Sequence, residues 1–395
     1  MPLTDCLIVG AGFAGLVLAE RLSNVLGWRC IVVDRRNHFG GNAHDAYDRA
    51  GVLVHTYGPH YFRTNSPRIR EYLSRFTDWH KVEYKVLAHA HDRHWSFPVN
   101  LATFEQLMGR PATEPEFVAW LESRRLRLDR PAQNSEEVIL SQAGREFYEL
   151  FFEGYTLKQW RRHPRDLDAS VCGRIPIRTN RDARYLADNF QALPLHGYTR
   201  LFERLLAASP RVELRLGVDF RIARQHFKSH HLIYTGPIDE YFEFSEGPLP
   251  YRSLRFEPES FTPGQLSAAS RLPIAGKPGF WQPEMQVNYP GPEPFTRIVE
   301  LKHATGQICE NTTIVREYPE DYLPGREAYY PVPSPDAQNL YKRYAARAEQ
   351  EAGVSFIGRL ATYRYYNMDQ VVGMALAEFE RLHIQYTGRP PASDV

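Results

Sequence analysis

The sequence predicts an α/β protein with a Rossmann-like domain, an inserted helical subdomain and an antiparallel β-sheet domain. Three patterns predict this class: an apolar run followed by spaced glycines near the N-terminus, helical periodicity over residues 103–159, and strand-like, proline-rich segments over residues 238–317. With 395 residues the chain is too long for one small core, so we expect two or three domains.

Two of the three expected domains are discontinuous in the sequence. The Rossmann-like domain is assigned residues 1–78, 200–237 and 353–395. The helical subdomain, with a mobile loop at its end, is assigned residues 101–180. The antiparallel sheet domain is assigned residues 79–100, 181–199 and 238–352.

The N-terminal segment predicts a βαβ unit that binds a dinucleotide. The apolar run Leu7–Val9 is typical of a strand buried on both faces. The glycines that follow have the dinucleotide-binding spacing: Gly10 permits a tight turn, Gly12 lets the backbone approach a pyrophosphate, and Gly15 packs helix against strand. A helix is expected over about residues 13–26, and the amides and dipole at its N-terminus favour a diphosphate.

The second strand of this unit, Cys30–Val33, ends at Asp34, where an acidic side chain accepts ribose hydroxyls. The basic residue that follows and the pair Gly40–Gly41 resemble the flavin type of Rossmann signature, which favours FAD over NAD. An ordinary βαβ unit without a ligand is the alternative interpretation. The residues expected to bind the cofactor here are Gly10, Gly12, Phe13, Ala14, Gly15, Asp34, Arg35, Gly41 and Asn42.

The composition is that of a globular protein with a formal net charge of +1, which predicts no general attraction to nucleic acid or to an anionic membrane. The four cysteines lie far apart without a CxxC pair, so we expect reduced thiols, no metal site and a cytoplasmic protein. No apolar run reaches the roughly 18 residues of a membrane span, and the first strand begins too early for a signal peptide to precede it.

Alternating and helical patterns follow one another after the first unit. Residues 51–57 predict a strand, residues 67–76 a helix with one apolar face, and residues 84–99 further strands. From residue 103 to about residue 159, apolar side chains recur at the spacing of buried helix faces. We interpret this stretch as a helical subdomain inserted into the nucleotide-binding fold.

An aromatic segment, residues 151–160, is followed by arginines that recur over residues 161–184. Aromatic faces can stack on a planar base, and arginine forks match phosphate oxygens. Prolines and a glycine within residues 160–178 favour a loop that can move. The alternatives are core packing for the aromatic side chains and a solvated surface for Arg161, Arg162 and Arg165.

The later part of the chain returns to the first domain after a series of strands. A helix is predicted at Tyr198–Ala207 and a last helix over about residues 370–382. The predicted strands are Val212–Leu216, His231–Thr235, Met285–Tyr289, Phe295–Val299 and Ser355–Ile357, the last followed by Gly358. The strand-rich residues from about 238 to 317 are expected to form an antiparallel sheet that makes one wall of a cleft.

Motifs spread over most of the chain carry a family resemblance. They are Gly10–Gly15, Phe97–Leu101, Tyr155–Trp160, Arg174–Arg178, Tyr234–Asp239, Pro250–Phe256, Phe295–Ile298, Arg316–Pro319, Tyr329–Pro331 and Gly358–Tyr365. On these motifs the chain resembles the bacterial UDP-galactopyranose mutases, and several of them are typical of that family rather than of flavoproteins in general.

The resemblance implies an isomerase that interconverts UDP-galactopyranose and UDP-galactofuranose, a step of galactofuranose and cell-wall biosynthesis, with no net redox change. It implies that reduced FAD attacks the anomeric carbon through N5 and releases UDP, after which the flavin–sugar adduct opens and the sugar closes through another hydroxyl. It further implies a homodimer and an external reductant such as NAD(P)H.

The resemblance also implies roles for individual residues. Arg174, on the mobile loop, and Arg297 would hold the diphosphate, and His60 would lie near the flavin ring, so these three are the expected catalytic residues. The expected substrate-binding residues are Phe151, Phe152, Tyr155, Trp160, Arg174, Tyr185, Asn288, Arg297, Tyr330, Tyr365 and Asn367. The additional cofactor contacts would be Tyr57, His60, Arg364 and Met368.

The chain departs from the family pattern at several positions. Arg63 stands where relatives often carry a second histidine near the flavin, and Asn367 stands where an aspartate is expected. Residues 302–304 lack the phenylalanine that usually follows, and residues 267–283 form a longer segment than in relatives. These differences are expected to tune rate and redox behaviour rather than to change the reaction class.

Two other classes of protein share the N-terminal fingerprint. A flavin-dependent oxidoreductase of the amine-oxidase type needs an apolar substrate tunnel rather than a cavity clamped by arginines. A carrier similar to the Rab GDP-dissociation inhibitors binds no flavin. The fold alone does not distinguish them from a mutase.

Overall fold

The computed structural model describes residues 3–269, 279–323 and 325–392. The strands are β1 (Leu3–Val9), β2 (Cys30–Asp34), β3 (Asp45–Tyr47), β4 (Leu53–His55), β5 (Phe62–Thr64), β6 (Trp79–Lys81), β7 (Val86–Ala90), β8 (Arg93–Phe97), β9 (Phe190–Pro194), β10 (Val212–Leu216), β11 (Lys228–Tyr234), β12 (Tyr251–Phe261), β13 (Gln286–Asn288), β14 (Arg297–Val299), β15 (Thr312–Asp321), β16 (Tyr330–Pro331) and β17 (Val354–Phe356).

The helices alternate with these strands in the first and last parts of the chain and dominate its middle. They are α1 (Phe13–Val25), α2 (Pro67–Ser74), α3 (Leu101–Met108), α4 (Glu114–Arg124), α5 (Ser135–Phe147), α6 (Gly154–Trp160), α7 (Ser170–Gly173), α8 (Tyr198–Ala207), α9 (Phe220–His226), α10 (Ile238–Tyr241), α11 (Pro263–Ala269), α12 (Lys302–Thr305), α13 (Pro335–Ala348) and α14 (Met368–Thr387). A π-helical turn, Tyr148–Glu153, joins α5 to α6.

A parallel five-stranded sheet in the order β10-β2-β1-β11-β17 forms the Rossmann-like part and confirms the predicted fold class. Helix α1 packs against this sheet, and helix α14 packs against α1. The apolar side chains of Leu16, Val17 and Leu18 in α1 are fully buried in the main core. The carboxyl ends of these strands meet at one edge, which is where ligands bind in such sheets.

Gly15 brings α1 against the end of β1. A Cβ atom at this position would lie 1.9 Å from the carbonyl oxygen of Gly10, so no larger residue fits without backbone movement. Gly10 itself has φ of 105°, which favours glycine. The expected packing role of the third glycine is therefore confirmed.

A seven-stranded sheet in the order β16-β12-β15-β14-β13-β7-β8 faces the Rossmann-like part. The long pair β12–β15 is antiparallel, as expected, but β13 and β7 run parallel. The sheet is therefore mixed rather than purely antiparallel. Strands β7 and β13 lie about 200 residues apart in sequence, so no tight turn forces them to run antiparallel. Strands β5, β9 and β6 form a separate antiparallel sheet of three strands.

The helical layer of α3 to α7 is specified by caps and an aromatic core. The side chains of Asn100, Thr113 and Asn134 cap α3, α4 and α5. Phe104 stacks on Phe117 with ring centroids 4.6 Å apart. The expected loop over residues 160–178 contains the short helix α7 and a 3₁₀ turn at Pro164–Asp166.

The last helix is longer than its apolar pattern predicts. It begins at Met368 rather than near residue 370, because Asn367 and Gln370 form a capping box, and it ends at Thr387, where Gly388 adopts a left-handed conformation. Met368 at its N-terminus lines the same cavity as Gly358, which follows the carboxyl end of β17.

We expect Gly15→Ala to destabilise the fold by about 2 kcal/mol or more, because the new methyl group collides with backbone rather than with a flexible side chain. A urea titration followed by circular dichroism measures the effect. Gly264→Ala is the matched control, since Gly264 lies in α11 with open space around its Cα. Equal unfolding midpoints for the two variants would contradict the packing role of Gly15.

Candidate functional site

Two adjoining cavities open at the carboxyl edge of the parallel sheet. The first has a volume of about 230 Å³ and lies against the glycine turn, and the second has a volume of about 710 Å³ and lies between the large sheet and the helical layer. The two cavities share the lining residues Asn42, His60, Arg359 and Met368. A ligand in one cavity therefore meets a ligand in the other at these four residues.

The first cavity is built from backbone that approaches closely. A Cβ atom on Gly41 would lie 3.0 Å from the Cα of Gly12, so two glycine turns are in contact here. Helix α1 has no side-chain cap at its N-terminus, which leaves its first amides open toward the cavity. The predicted residues that line this cavity are Gly10, Gly12, Phe13, Ala14, Asp34, Arg35, Gly41, Asn42, His60 and Met368.

Asp34 holds the glycine turn in place. One carboxylate oxygen of Asp34 accepts a hydrogen bond from the amide of Ala11 at 2.9 Å, and the other accepts one from the amide of Arg36 at 2.9 Å. Arg36 in turn lies over the ring of Tyr57 and pairs with Glu327. The acid at the end of β2 thus orders both turns that form the cavity wall.

The second cavity gathers all eleven residues expected at the substrate site. They are Phe151, Phe152, Tyr155, Trp160, Arg174, Tyr185, Asn288, Arg297, Tyr330, Tyr365 and Asn367. The structure places Arg161, Arg162 and Arg165 outside this cavity, in exposed positions, as the surface alternative predicts.

Three of the expected cofactor residues lie elsewhere. Gly15 lies beneath the first turn and lines neither cavity, and Tyr57 lines only the second one. Arg364 is exposed and lines neither cavity, because the left-handed conformation of Tyr363 turns the chain at this point. These positions do not support direct contact of Gly15 or Arg364 with a ligand.

Arg359 is the cavity residue that sequence reasoning missed. It lines both cavities, and its guanidinium donates hydrogen bonds to the carbonyl oxygens of Tyr366 at 2.7 Å and Tyr329 at 3.4 Å. A signal was present, because Arg359 directly follows the glycine turn at the carboxyl end of β17.

Arg297 is held by a buried ion pair. Its Nη2 lies 2.6 Å from Glu317, the residue directly opposite it on the neighbouring strand β15. The side chain of Glu317 is only 2% exposed, and the Nε of Arg297 has no partner within the described residues. Burial opposes the charge of Arg297, but Glu317 and neighbouring tyrosines raise its pKa, so the guanidinium stays charged.

Arg174 and Arg359 flank one tyrosine ring. Their guanidinium carbons lie 4.8 and 4.9 Å from the ring centroid of Tyr365. Neither arginine forms a salt bridge within the described part of the chain. Burial would raise the pKa of Tyr365, but Arg174, Arg359 and Arg297 together lower it. The cavity is therefore strongly positive at this point and is suited to an anion.

Aromatic rings and one amide form the opposite end of the second cavity. Phe151 and Phe152 are almost fully buried against Phe97, so they pack in the core and line the cavity at the same time. Asn288 accepts a hydrogen bond from Gln286 at 2.8 Å, which leaves its own NH₂ group free to donate. This combination suits a planar base with a carbonyl group.

His60 lies at the junction as a neutral imidazole. Its Nδ1 donates to the carbonyl oxygen of Gly58 at 2.9 Å, and its amide donates to Nδ1 of His55 at 3.0 Å. Burial lowers the pKa of His60 to about 3 and that of His55 to about 3. Nε2 of His60 is therefore an acceptor across the physiological pH range.

Arg63, which replaces the expected second histidine, forms a salt bridge with Asp188 at 2.6 Å, and both residues line the second cavity. The unusual arginine thus adds no free charge to the site.

Residues 267–283, the segment expected to be long, lie partly outside the described residues. Among the residues that the structure describes, no group of histidine, cysteine or acidic side chains is placed to hold a metal ion.

None of the described helices combines the length and apolar character needed to cross a membrane. The parallel sheet with its glycine turn and the large cavity beside it define the class: a protein with a Rossmann-like nucleotide-binding fold and a second, larger cavity. A family model described as UDP-galactopyranose mutase matches residues 150–365, and one described as NAD(P)-binding Rossmann-like domain matches residues 8–76.

Named relatives agree with the family model. A probable UDP-galactopyranose mutase of Klebsiella pneumoniae is 33% identical over 94% of this chain and 93% of its own length. A dTDP-fucopyranose mutase of Escherichia coli is 30% identical over 96% of this chain and 98% of its own length. The chain belongs to the UDP-galactopyranose mutase family, which confirms the resemblance identified in the sequence.

A solved structure confirms the fold over the whole chain. A reduced UDP-galactopyranose mutase superposes with a TM-score of 0.74 over 99% of this chain and 96% of its own, at 16% sequence identity. A putrescine oxidase superposes with a TM-score of 0.59 at 12% identity, over 96% of this chain and 99% of its own. A mutase and an oxidase thus share the architecture of this chain.

Acid is expected to destabilise the fold through His55 and His60. Because their pKa values fall from 6.5 to about 3 in the folded chain, the unfolded chain binds protons between these values that the folded chain does not. The free energy of unfolding therefore decreases as the pH falls below about 6.5. We expect a steeper fall of the urea midpoint in the wild type than in His55→Gln, and identical slopes would refute this role.

Proposed function

We propose that this chain interconverts UDP-galactopyranose and UDP-galactofuranose without net redox change, with FAD in its reduced form as cofactor. The observation that carries the proposal is a group of three arginines that line the second cavity, of which Arg359 also lines the first. Arg174 and Arg359 flank the ring of Tyr365 and have no carboxylate partner among the described residues, and Arg297 is held in the same cavity by Glu317. Such an arrangement favours a ligand with several negative charges.

The first cavity fits the dinucleotide half of FAD. The open amides of α1 and the close contact of Gly12 with Gly41 suit a diphosphate, and Asp34 and Arg35 would face the adenosine. The ring system would then reach the four shared residues, among them the neutral His60 and the N-terminus of α14 at Met368. Reduced flavin supplies the nucleophile for the anomeric carbon of the sugar.

The side chains of the second cavity bind and orient the nucleotide sugar. The aromatic wall and Asn288 would hold the base, and Arg174 and Arg297 would hold the diphosphate. When UDP leaves, negative charge develops on a phosphate oxygen, and fixed guanidinium ions stabilise it. Glu317 keeps Arg297 in place, so little reorganisation is needed during the reaction.

Two features disfavour the alternative classes. An amine-oxidase type of oxidoreductase takes its substrate through an apolar tunnel, whereas the second cavity of this chain is lined by several arginines and tyrosines. A carrier that binds no flavin would not require the open amides at the N-terminus of α1, which are suited to a diphosphate. The family resemblance further supports a homodimer, a cytoplasmic location, an external reductant such as NAD(P)H and a role in galactofuranose and cell-wall synthesis.

The E. coli relative named dTDP-fucopyranose mutase defines the competing substrate. Ring contraction changes the bonding at C1 and at the hydroxyl that closes the ring, so a missing hydroxyl at C6 does not affect the chemistry itself. The base and the sugar substituents therefore decide between the two substrates, and both nucleotide sugars belong in the assay.

We expect a yellow protein that converts UDP-galactofuranose to UDP-galactopyranose only after reduction with dithionite. The flavin spectrum and product separation by chromatography measure this outcome. The conversion should proceed without an electron acceptor, because the reaction has no net oxidation. Colourless protein, or turnover that requires an acceptor, would refute the proposed mutase, and exclusive turnover of dTDP-fucopyranose would reassign its substrate.

Loss of either phosphate-binding arginine is expected to abolish most activity while the cofactor stays bound. Arg174→Ala and Arg297→Ala should each lower kcat/KM by about a hundredfold or more, the loss typical of a removed transition-state donor. Arg162→Ala is the control, because Arg162 is exposed and lines neither cavity. An Arg174→Ala protein without flavin, or with wild-type activity, would contradict the assigned role.

A further inference from the structure

Lys158 is a half-buried residue of α6 that lines neither cavity. Its Nζ donates to the carbonyl oxygens of Tyr289 at 2.5 Å, Glu293 at 2.9 Å and Phe295 at 3.1 Å. An ammonium group has three donors, so every one of them is used. All three acceptors belong to the loop that joins β13 to β14.

This loop carries two cavity residues at its ends. Asn288 precedes Tyr289 directly, and Arg297 follows Phe295 by two positions. The amide of Tyr289 donates a hydrogen bond to the carbonyl oxygen of Thr296 at 2.8 Å, across the base of the loop. The amide of Thr296 donates to the carbonyl oxygen of Glu317 at 2.9 Å. The loop therefore joins directly to the ladder pair Asn288–Arg297, and a shift of the loop would be passed on to the ends of both strands.

Helix α6 carries the other wall of the same cavity. Tyr155, Gln159 and Trp160 lie on it and line the cavity. The helix also touches the loop through its backbone, because a Cβ atom on Gly154 would lie 2.3 Å from the carbonyl oxygen of Pro290. Helix and loop are thus in contact at Gly154 and joined by the ammonium group one turn later.

The chemistry of Lys158 is unfavourable for stability alone. Burial lowers its pKa to about 8, with nearby Glu293 opposing the shift, so the surroundings resist the charge. The ammonium forms no salt bridge within the described ranges. The three directed hydrogen bonds all run from one helix to one loop, which points to a geometric role.

We propose that Lys158 is a positioning residue that sets the distance between helix α6 and the β13–β14 hairpin, whose strand ends carry Asn288 and Arg297. The inference rests on the proposed function, since it assumes a nucleoside diphosphate spanning both walls. Lys158 touches no ligand itself and acts through Asn288 and Arg297. Its loss should weaken nucleotide binding and leave the flavin site intact.

The test is a calorimetric titration of oxidised holoenzyme with UDP. Lys158→Met keeps the length of the side chain and removes the donors, and we expect the Kd for UDP to rise about tenfold, as for loss of charged hydrogen bonds. The KM for the nucleotide sugar should rise similarly and kcat should change by less than about threefold, with an unchanged flavin spectrum. Lys158→Gln, which retains two donors, should give an intermediate Kd and serves if Lys158→Met does not fold.

Lys302→Met is the matched control. Lys302 is a buried lysine that lines neither cavity. Its Nζ donates a hydrogen bond to the carbonyl oxygen of Gly279 at 3.1 Å. Its UDP affinity should equal that of the wild type. Unchanged affinity in the Lys158 variants, or an equal loss in Lys302→Met, overturns the positioning role, whereas a wild type that does not bind UDP overturns the proposed function as well.

Discussion

The site depends on the buried ion pair between Arg297 and Glu317. The two residues stand directly opposite each other on β14 and β15, so the ladder of the sheet determines where the guanidinium lies. A carboxylate this deeply buried needs a cation, and the cation it fixes also faces the cavity. The same pair therefore neutralises the buried carboxylate within the sheet and supplies the positive charge that a diphosphate requires. The tyrosines, Arg174 and Arg359 are arranged around this fixed point.

Local patterns in the sequence predicted the elements that local physics determines. The glycine spacing, the strand before it and the acid after it identified the first cavity, because each position has a steric or hydrogen-bonding requirement. The helix at Tyr198–Ala207 and the strand at Val212–Leu216 have the bounds that were predicted. Family motifs identified Arg174 and Arg297, which composition and periodicity alone would have left among many surface arginines.

Non-local relations were beyond a single sequence. The parallel pairing of β7 with β13 joins segments about 200 residues apart, and no turn signals it. Arg359 and Arg364 lie five residues apart in one motif, yet only the first lines the cavities, because the chain turns at Tyr363. The hydrogen bonds of Lys158 go to three backbone carbonyl groups. Every residue has such a group, so the sequence does not indicate which ones a lysine contacts.

The neutral state of His60 has a consequence for how the site responds to its surroundings. With both histidines uncharged, the positive field in the cavity comes from guanidinium groups, which do not lose their protons in water. Attraction of the polyanionic ligand is therefore insensitive to mild acidification of the medium. Ionic strength, which screens fixed charges at the mouth of a cavity, becomes the environmental variable that controls encounter.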